Sequence, residues 1–214
     1  GTVIADGYGQ TETINIVGNF PGVETRFGSM GKPVPGFDIK VVDDNGKILP
    51  DGEVGHIAIC TEKKWPPGLF HGYLQNKVIV KDSFRHGWYY TGDTASRDKD
   101  GYLWFVGRSD DLISSAGYRI SPFEVESALL EHDLIAESAV VGVPDETRGQ
   151  LVKAYIVLVE GYKGSNELIR EIQDFFFFLT APYKYPRKVE FVDSLPKTIS
   201  GKLRRVELRE IENK

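Results

Sequence analysis

Apolar and polar residues alternate from position 37. Phe37, Ile39 and Val41 fall on one parity, with Asp38 and Lys40 between them, the period of a strand with one covered face; Val42 then breaks the alternation. Asp43-Asp44-Asn45-Gly46 is a turn signal. Residues 53–59 predict a second strand, and Asp100-Gly101 predicts a tight turn into another over 102–106. Residues 37–109 therefore read as antiparallel β. Residues 1–36 are glycine-rich and read mainly as loops, with Val3-Ile4 as the end of a buried strand.

Beyond residue 110 the period changes. Val125, Ala128 and Leu129 lie at i, i+3 and i+4 and predict a helix over 122–131. Its start is written in capping chemistry: Ser121 as N-cap, Pro122 at the first helical position, and Glu124 three residues after the serine. The β-branched runs 137–143 and 151–159 predict strands, with Pro144-Asp145-Glu146 opening the loop between them. A second helix is expected over 166–179, capped by Ser165, with Leu168, Ile169, Ile172 and Phe176 inward and Pro182 beyond its end. Residues 189–192 predict a third strand, followed by a basic tail. Two helices on a small sheet make an α+β domain. The reading is thus mixed α/β: an antiparallel, β-rich, distorted barrel-like segment over 1–109, then a small α+β domain over 110–214. Residues 175–178 are four phenylalanines in a row. Neighbours on a helix point about 100° apart, so at least one must be exposed or held in a contact.

The 214 residues are 41% hydrophobic and 27% charged, which suits a globular chain with a real core. A net charge of −5 argues against a general nucleic-acid surface. Cys60 is the only cysteine, so no intrachain disulfide forms. The longest uninterrupted apolar run, residues 154–159, is far below the roughly 18 residues of a spanning helix. The first residues do not read as a signal peptide; they read as the continuation of an upstream part. No G-x-x-x-x-G-K-[ST] occurs, the four histidines lack zinc spacing, and no G-x-S-x-G turn is present. P-loop NTPase, metalloprotease and serine hydrolase readings fall with them.

Four stretches carry chemistry. Tyr8-Gly9-Gln10-Thr11-Glu12 offers an aromatic face, a hydroxyl and a carboxylate. Tyr90-Thr91-Gly92-Asp93 places an acid after a glycine. Residues 107–126, GRSDDLISSAGYRISPFEVE, open on Gly107-Arg108 and reach the capped helix. Pro196-Lys197-Thr198-Ile199-Ser200-Gly201-Lys202 presents a lysine on a Ser-Gly turn. In this order they closely resemble the adenylate-forming (AMP-binding) superfamily of acyl-CoA synthetases, luciferases and peptide-synthetase adenylation domains. GSMGKPVPGFDIKVVDDNGKILPDGEVGHIAI, DETRGQLVKAYIVL and TAPYKYPRKVEFVDSLPKTISGKLRR look most like the medium-chain acyl-CoA synthetase branch. The resemblance covers essentially the whole chain. It departs at two points: the Ser/Thr/Gly-rich phosphate loop of the family, ending in lysine, is absent, and the four phenylalanines stand where a mixed polar helix face is expected.

The resemblance implies an ATP-dependent acid–thiol ligase of fatty-acid metabolism. A carboxylate attacks the ATP α-phosphate to give acyl-adenylate and pyrophosphate, and CoA then displaces AMP. Residues 1–109 would be the C-terminal portion of the large nucleotide domain and 110–214 the small mobile domain. Thr11 would bond the α-phosphate, Glu12 would bind Mg²⁺, and Tyr8 would lie against adenine. Asp93 would accept from the ribose hydroxyls beside Arg108, and Arg119 would meet the α-phosphate. Lys202 would serve adenylation. Asp110 would be the pivot, and Gly117 would line the pantetheine channel. Lys184, Arg187 and Lys188 are weaker candidates for the phosphates of CoA. The chain alone is expected to adenylate poorly for want of the phosphate loop. A carrier-protein thiol as acceptor, or a non-catalytic binding fragment, remain alternatives. The expected setting is cytoplasmic, or the mitochondrial matrix in a eukaryote; acyl chain and oligomeric state are left open.

Overall fold

The computed structural model describes residues 4–73 and 82–212. It divides into two compact units, Gly1–Ser109 and Asp110–Lys214. The architecture is mixed α/β, antiparallel and β-rich in the first unit, α+β in the second.

In the first unit β1 (Gly7–Gln10), β2 (Ile14–Gly18) and β3 (Lys32–Pro33) form a three-stranded antiparallel sheet. Most of the described residues before 37 are loops, as expected, and these three short strands are added to them. The glycines there shape turns between short strands, and Ile16 and Val17 of β2 are fully buried. Of the predicted strand end Val3-Ile4, Ile4 is exposed and outside any strand, and Val3 lies outside the described residues. A five-stranded sheet follows in the order β4-β5-β7-β6: β4 (Ile39–Val42), β5 (Val54–Cys60), β6 (Phe84–Arg85) and β7 (Trp88–Arg97), with β8 (Leu103–Arg108) also paired to β7. Ile39 and Val41 face a core with Ile57, Ile59, Tyr89 and Leu103. Val42 breaks the alternation because the opposite face is covered too, by Ala58, Tyr90 and Trp88. The β7–β8 turn is held by Asp98, whose Oδ1 accepts from the amides of Asp100 (3.0 Å) and Tyr102 (2.9 Å).

In the second unit the sheet order is β10-β9-β12-β11, from β9 (Ile113–Ser115), β10 (Tyr118–Ile120), β11 (Ile135–Asp145) and β12 (Gly149–Leu158). β13 (Lys188–Phe191) joins β12 in parallel. Helices α1 (Pro122–Leu129) and α2 (Asn166–Leu179) pack on the sheet through Val125, Leu129, Leu168, Ile172 and Phe176. The Ser121 hydroxyl accepts from the Glu124 amide at 3.3 Å, as the capping box predicts, and the Glu124 carboxylate pairs with Lys184. Ser165 accepts from Leu168 N at 3.1 Å, as its spacing predicts. Of the four phenylalanines, Phe176 is fully buried, Phe175 meets the His132 ring edge-on, and Phe178 is 88% exposed.

The basic tail holds a third helix, α3 (Arg205–Glu212), not expected from the pattern because Leu208 is its one fully inward apolar residue. Its end is fixed by Lys153, whose ammonium donates to Glu190 (2.6 Å) and Glu212 (2.5 Å), with the Tyr155 hydroxyl also on Glu212 at 2.5 Å. Burial raises the Glu212 carboxyl, but Tyr155 and above all the Lys153 ammonium outweigh it and hold it below its ordinary 4.5. The stability it contributes is present above pH 4.5 and is lost as pH falls through the folded value. Glu212→Gln is expected to cost on the order of 1 kcal/mol at neutral pH. It should also flatten the fall of melting temperature below pH 4.5 in acid thermal scans; an unchanged acid limb would refute this coupling.

Candidate functional site

In the first unit two of the predicted residues, Tyr8 and Arg108, meet a third, Asp93. The β1–β2 hairpin carries Tyr8 and Gln10 on β1 and Thr11 and Glu12 at its tip. The tip is closed by Thr13, whose amide donates to Gln10 O at 3.1 Å and whose hydroxyl accepts from Gln10 N at 3.0 Å. Asp93 lies on β7 opposite Arg108 of β8, one residue after Gly92. At φ +80°, with a Cβ position 3.1 Å from the Arg108 guanidinium, Gly92 is where only glycine sits without strain.

The Asp93 carboxylate is buried and heavily solicited. Its Oδ2 accepts from the Tyr8 hydroxyl at 2.6 Å and from Gln10 Nε2 at 2.9 Å. Its Oδ1 is 3.5 Å from Arg108 Nη1. Gln10 also donates to Thr91 O at 2.9 Å and accepts from the Tyr89 hydroxyl at 3.3 Å. Burial and the neighbouring Asp93 push the Tyr8 hydroxyl far above its ordinary value, so it stays protonated and donates. Burial does the same to Tyr89. Tyr8 therefore uses its polar end on Asp93, and its ring tilts against Phe105 at 6.4 Å. Gln10 and Tyr89 were not singled out in the sequence, although Gln10 stands inside the quoted motif. Only the fold reveals that its amide bridges two strands.

Thr11 is exposed and Glu12 half-exposed, with the Tyr73 hydroxyl donating to Glu12 Oε1. Among the described residues no cluster of three His, Cys, Asp or Glu side chains stands ready to cage a metal. A single accessible carboxylate fits magnesium, which keeps most of its shell as water and phosphate oxygens, and does not fit an all-protein site.

In the second unit Gly117 and Arg119 belong to the β9–β10 hairpin, where Ser115 pairs with Tyr118. The two turn residues, Ala116 (φ +49°) and Gly117 (φ +84°), are both left-handed, as a two-residue primed turn requires. A Cβ on Gly117 would meet nothing within 4 Å inside the chain. Its glycine is set by backbone conformation and leaves open space beside it. Arg119 is exposed; Tyr118 stacks on Tyr183 at 4.3 Å with planes 10° apart. Lys184, a candidate phosphate contact, is instead paired with Glu124.

Lys202 is exposed at the foot of a tight hairpin. Thr198 N donates to Lys202 O at 2.8 Å, Lys202 N donates to the Thr198 hydroxyl at 3.0 Å, and Lys197 bridges to Leu203. Gly201 turns the chain at φ +82°. The ammonium itself points into no core and is presented by a closed loop.

This mixed α/β chain, with these groups in this order, matches two models of AMP-binding enzymes. Residues 1–74 match the AMP-binding enzyme family model and residues 124–202 match the AMP-binding enzyme C-terminal domain. The chain belongs to that family. More narrowly, it is similar to acyl-CoA synthetases. It is 55% identical over 99% of its length to the mitochondrial acyl-coenzyme A synthetase ACSM3 of Mus musculus. It is 59% identical over 98% of its length to 4-hydroxybutyrate–CoA ligase 1 of Metallosphaera sedula. The chain spans 37% of the length of each of these curated relatives. Among solved structures it resembles the anthranilate CoA ligase AuaEII in complex with anthranoyl-AMP (TM-score 0.84, 41% identity, 97% of this chain and 39% of that one). It also resembles the o-succinylbenzoate CoA synthetase MenE of Bacillus subtilis in complex with its acyl-adenylate (TM-score 0.83, 35% identity, 96% and 40%).

Proposed function

We propose that this chain is the part of an AMP-forming acyl-CoA synthetase that grips the nucleotide's ribose and α-phosphate and delivers the adenylation lysine. The observation that carries the proposal is Asp93: a buried carboxylate fixed by Tyr8, Gln10 and Arg108, ready to accept further hydrogen bonds from a diol. ATP, a carboxylic acid and CoA are the substrates. Relatives and structural neighbours named as CoA ligases, two of the latter carrying acyl-adenylates, support the reading.

In the first half-reaction the carboxylate oxygen bonds to the α-phosphorus and the α–β phosphoanhydride breaks, releasing pyrophosphate. Asp93 and Arg108 hold the ribose, and the flat face of Tyr8 lies against adenine. Thr11 donates to the α-phosphate, and Arg119 offers it a permanently charged planar fork. Lys202 neutralises charge developing between the reacting oxygens. Magnesium, bound through Glu12, would neutralise the phosphate oxygens during this step. In the second half-reaction the CoA sulfur attacks the acyl carbon and AMP leaves. For this step rotation at Asp110 has already withdrawn Lys202, and the Gly117 hairpin flanks the pantetheine arm. A side chain at residue 117 would intrude on the open space there.

Two assays test this in the full-length protein: carboxylate-dependent pyrophosphate exchange, and thioester formation from supplied acyl-adenylate. Gly117→Leu is expected to leave exchange within about threefold and to lower thioester formation by at least about tenfold. Equal loss in both assays would sink the division of labour. CoA is expected to outcompete a carrier-protein thiol as acceptor. The 214-residue chain by itself is expected to show little exchange; robust exchange would refute the dependence on a separate phosphate loop. The mitochondrial setting in the name of the Mus musculus relative supports a matrix location in a eukaryotic host. No described helix is long and apolar enough to cross a membrane.

A further inference from the structure

The Lys202 hairpin runs directly into α3, whose first residue is Arg205. That guanidinium is largely buried. Its Nε donates to Glu126 Oε1 at 3.1 Å and its Nη2 to Glu126 Oε2 at 2.5 Å, a bidentate pair. Its Nη1 reaches Asp111 Oδ2 at 3.3 Å, and the other Asp111 oxygen takes Arg209. Glu126 also accepts the Val140 amide at 2.8 Å, so the acceptor is fixed to the sheet as well as to α1. Burial pushes the Glu126 carboxyl up, while Arg205 and the Val140 amide pull it back. Burial opposes the Arg205 charge, but Glu126 and Asp111 prevail and strengthen it.

Holding α3 in place does not by itself require this network. Leu208 already buries the helix against Leu195 and Val141, and the Lys153–Glu212 pair fixes the far end. A buried ion pair adds little net stability over apolar packing of the same volume; its distinctive effect is to specify one geometry. Here the geometry specified is local to the lysine hairpin. Arg204 N donates to Pro196 O at 2.9 Å, closing the hairpin one residue before the anchor. On the other strand Leu195 is buried at the root, and beyond it the exposed Lys197–Glu137 pair is a weak restraint. Leu195 fixes one root of the hairpin in the core, and Arg205 fixes the other, on the side that carries Lys202. Asp111, its second partner, directly follows Asp110, the first residue of the unit.

We propose that Arg205 is a positioning residue for Lys202: clamped by Glu126 and Asp111, it makes the lysine hairpin one rigid piece with the segment that begins at Asp110. This rests on the adenylation role given to Lys202. Any rotation at Asp110 is then transmitted to the lysine without slack, and the ammonium arrives at a defined position.

The test uses the full-length protein and four variants: Lys202→Ala, Arg205→Met, Arg205→Lys and the double Lys202→Ala/Arg205→Met. Arg205→Met is expected to lower kcat for pyrophosphate exchange by about 10- to 100-fold. The KM values for ATP and acid should stay within about twofold, and thioester formation from supplied acyl-adenylate within about threefold. Arg205→Lys keeps the charge but reaches fewer oxygens, so it is expected to fold and to lose about threefold to tenfold. The double variant should be no slower in exchange than Lys202→Ala alone, because an anchor without its lysine has nothing to place. If Arg205→Met does not fold, Arg205→Lys carries the test by the same kcat-against-KM split. Equal damage to both half-reactions, or losses that add to those of Lys202→Ala, would show a purely structural role and overturn the proposal. Exchange lost in Lys202→Ala but untouched in both Arg205 variants overturns the anchor alone. Exchange surviving Lys202→Ala overturns the role of the lysine, and the anchor with it.

Discussion

Lys202→Ala in the full-length protein is expected to lower pyrophosphate exchange by about 100- to 1000-fold, the loss typical of one preorganised charge donor to a transition state. Thioester formation from supplied acyl-adenylate should fall by less than about fivefold, because AMP is then the leaving group and no phosphoanhydride is broken. The structure gives this prediction its form. The lysine stands on a hairpin closed by backbone bonds at Thr198 and Arg204, with Ile199 fully exposed at its tip. The alanine variant should keep the hairpin and its stability, since the exposed ammonium supports no packing. A melting temperature unchanged within about 2 °C, beside the loss of exchange, separates chemistry from folding. Loss of both half-reactions together would refute it.

Phe176→Ala should be the most damaging change to stability in the phenylalanine run. The ring is fully buried among Leu168, Ile172 and the sheet residues of the second unit. Truncation leaves a cavity and costs about 3–5 kcal/mol. For a unit of this size that is a fall of more than about 10 °C in its melting transition. Phe178→Ser, two positions on, changes a ring that is 88% exposed and should stay within about 0.5 kcal/mol. Calorimetry of the two variants compares them directly. Equal destabilisation would mean that Phe178 is covered by something outside the described chain surface.

Much of this could be read from order along the chain, and the reason is visible at particular residues. Ser165 caps α2 because its hydroxyl reaches an amide three residues on, a local event that spacing alone specifies. Asp100-Gly101 turns because one carboxylate can serve two nearby amides. Pattern failed where burial came from distant partners. Val42 looked like an error in alternation until the second cluster with Ala58 and Tyr90 accounted for it. The strands before residue 37 were hidden because glycines there permit both turns and close strand pairing, and the sequence does not choose between them. α3 was hidden because its anchors are charges: Lys153, Glu126 and Asp111 lie 59 to 94 positions from their partners and give no periodic signal.

The sequence by itself determined the class of fold and the family, and it singled out candidate groups for the proposed chemistry: an acid after a glycine and a lysine on a Ser-Gly turn. These are local facts, set by turns, caps and the order of short motifs. The tertiary structure alone decided which groups hold those residues still. Gln10 and Tyr8 fix Asp93, and Glu126 with Asp111 fixes the root of the Lys202 hairpin. Hydrogen bonds between residues some 80 positions apart depend on strand pairing and helix docking, which bring together side chains that nothing in their sequence neighbourhoods connects.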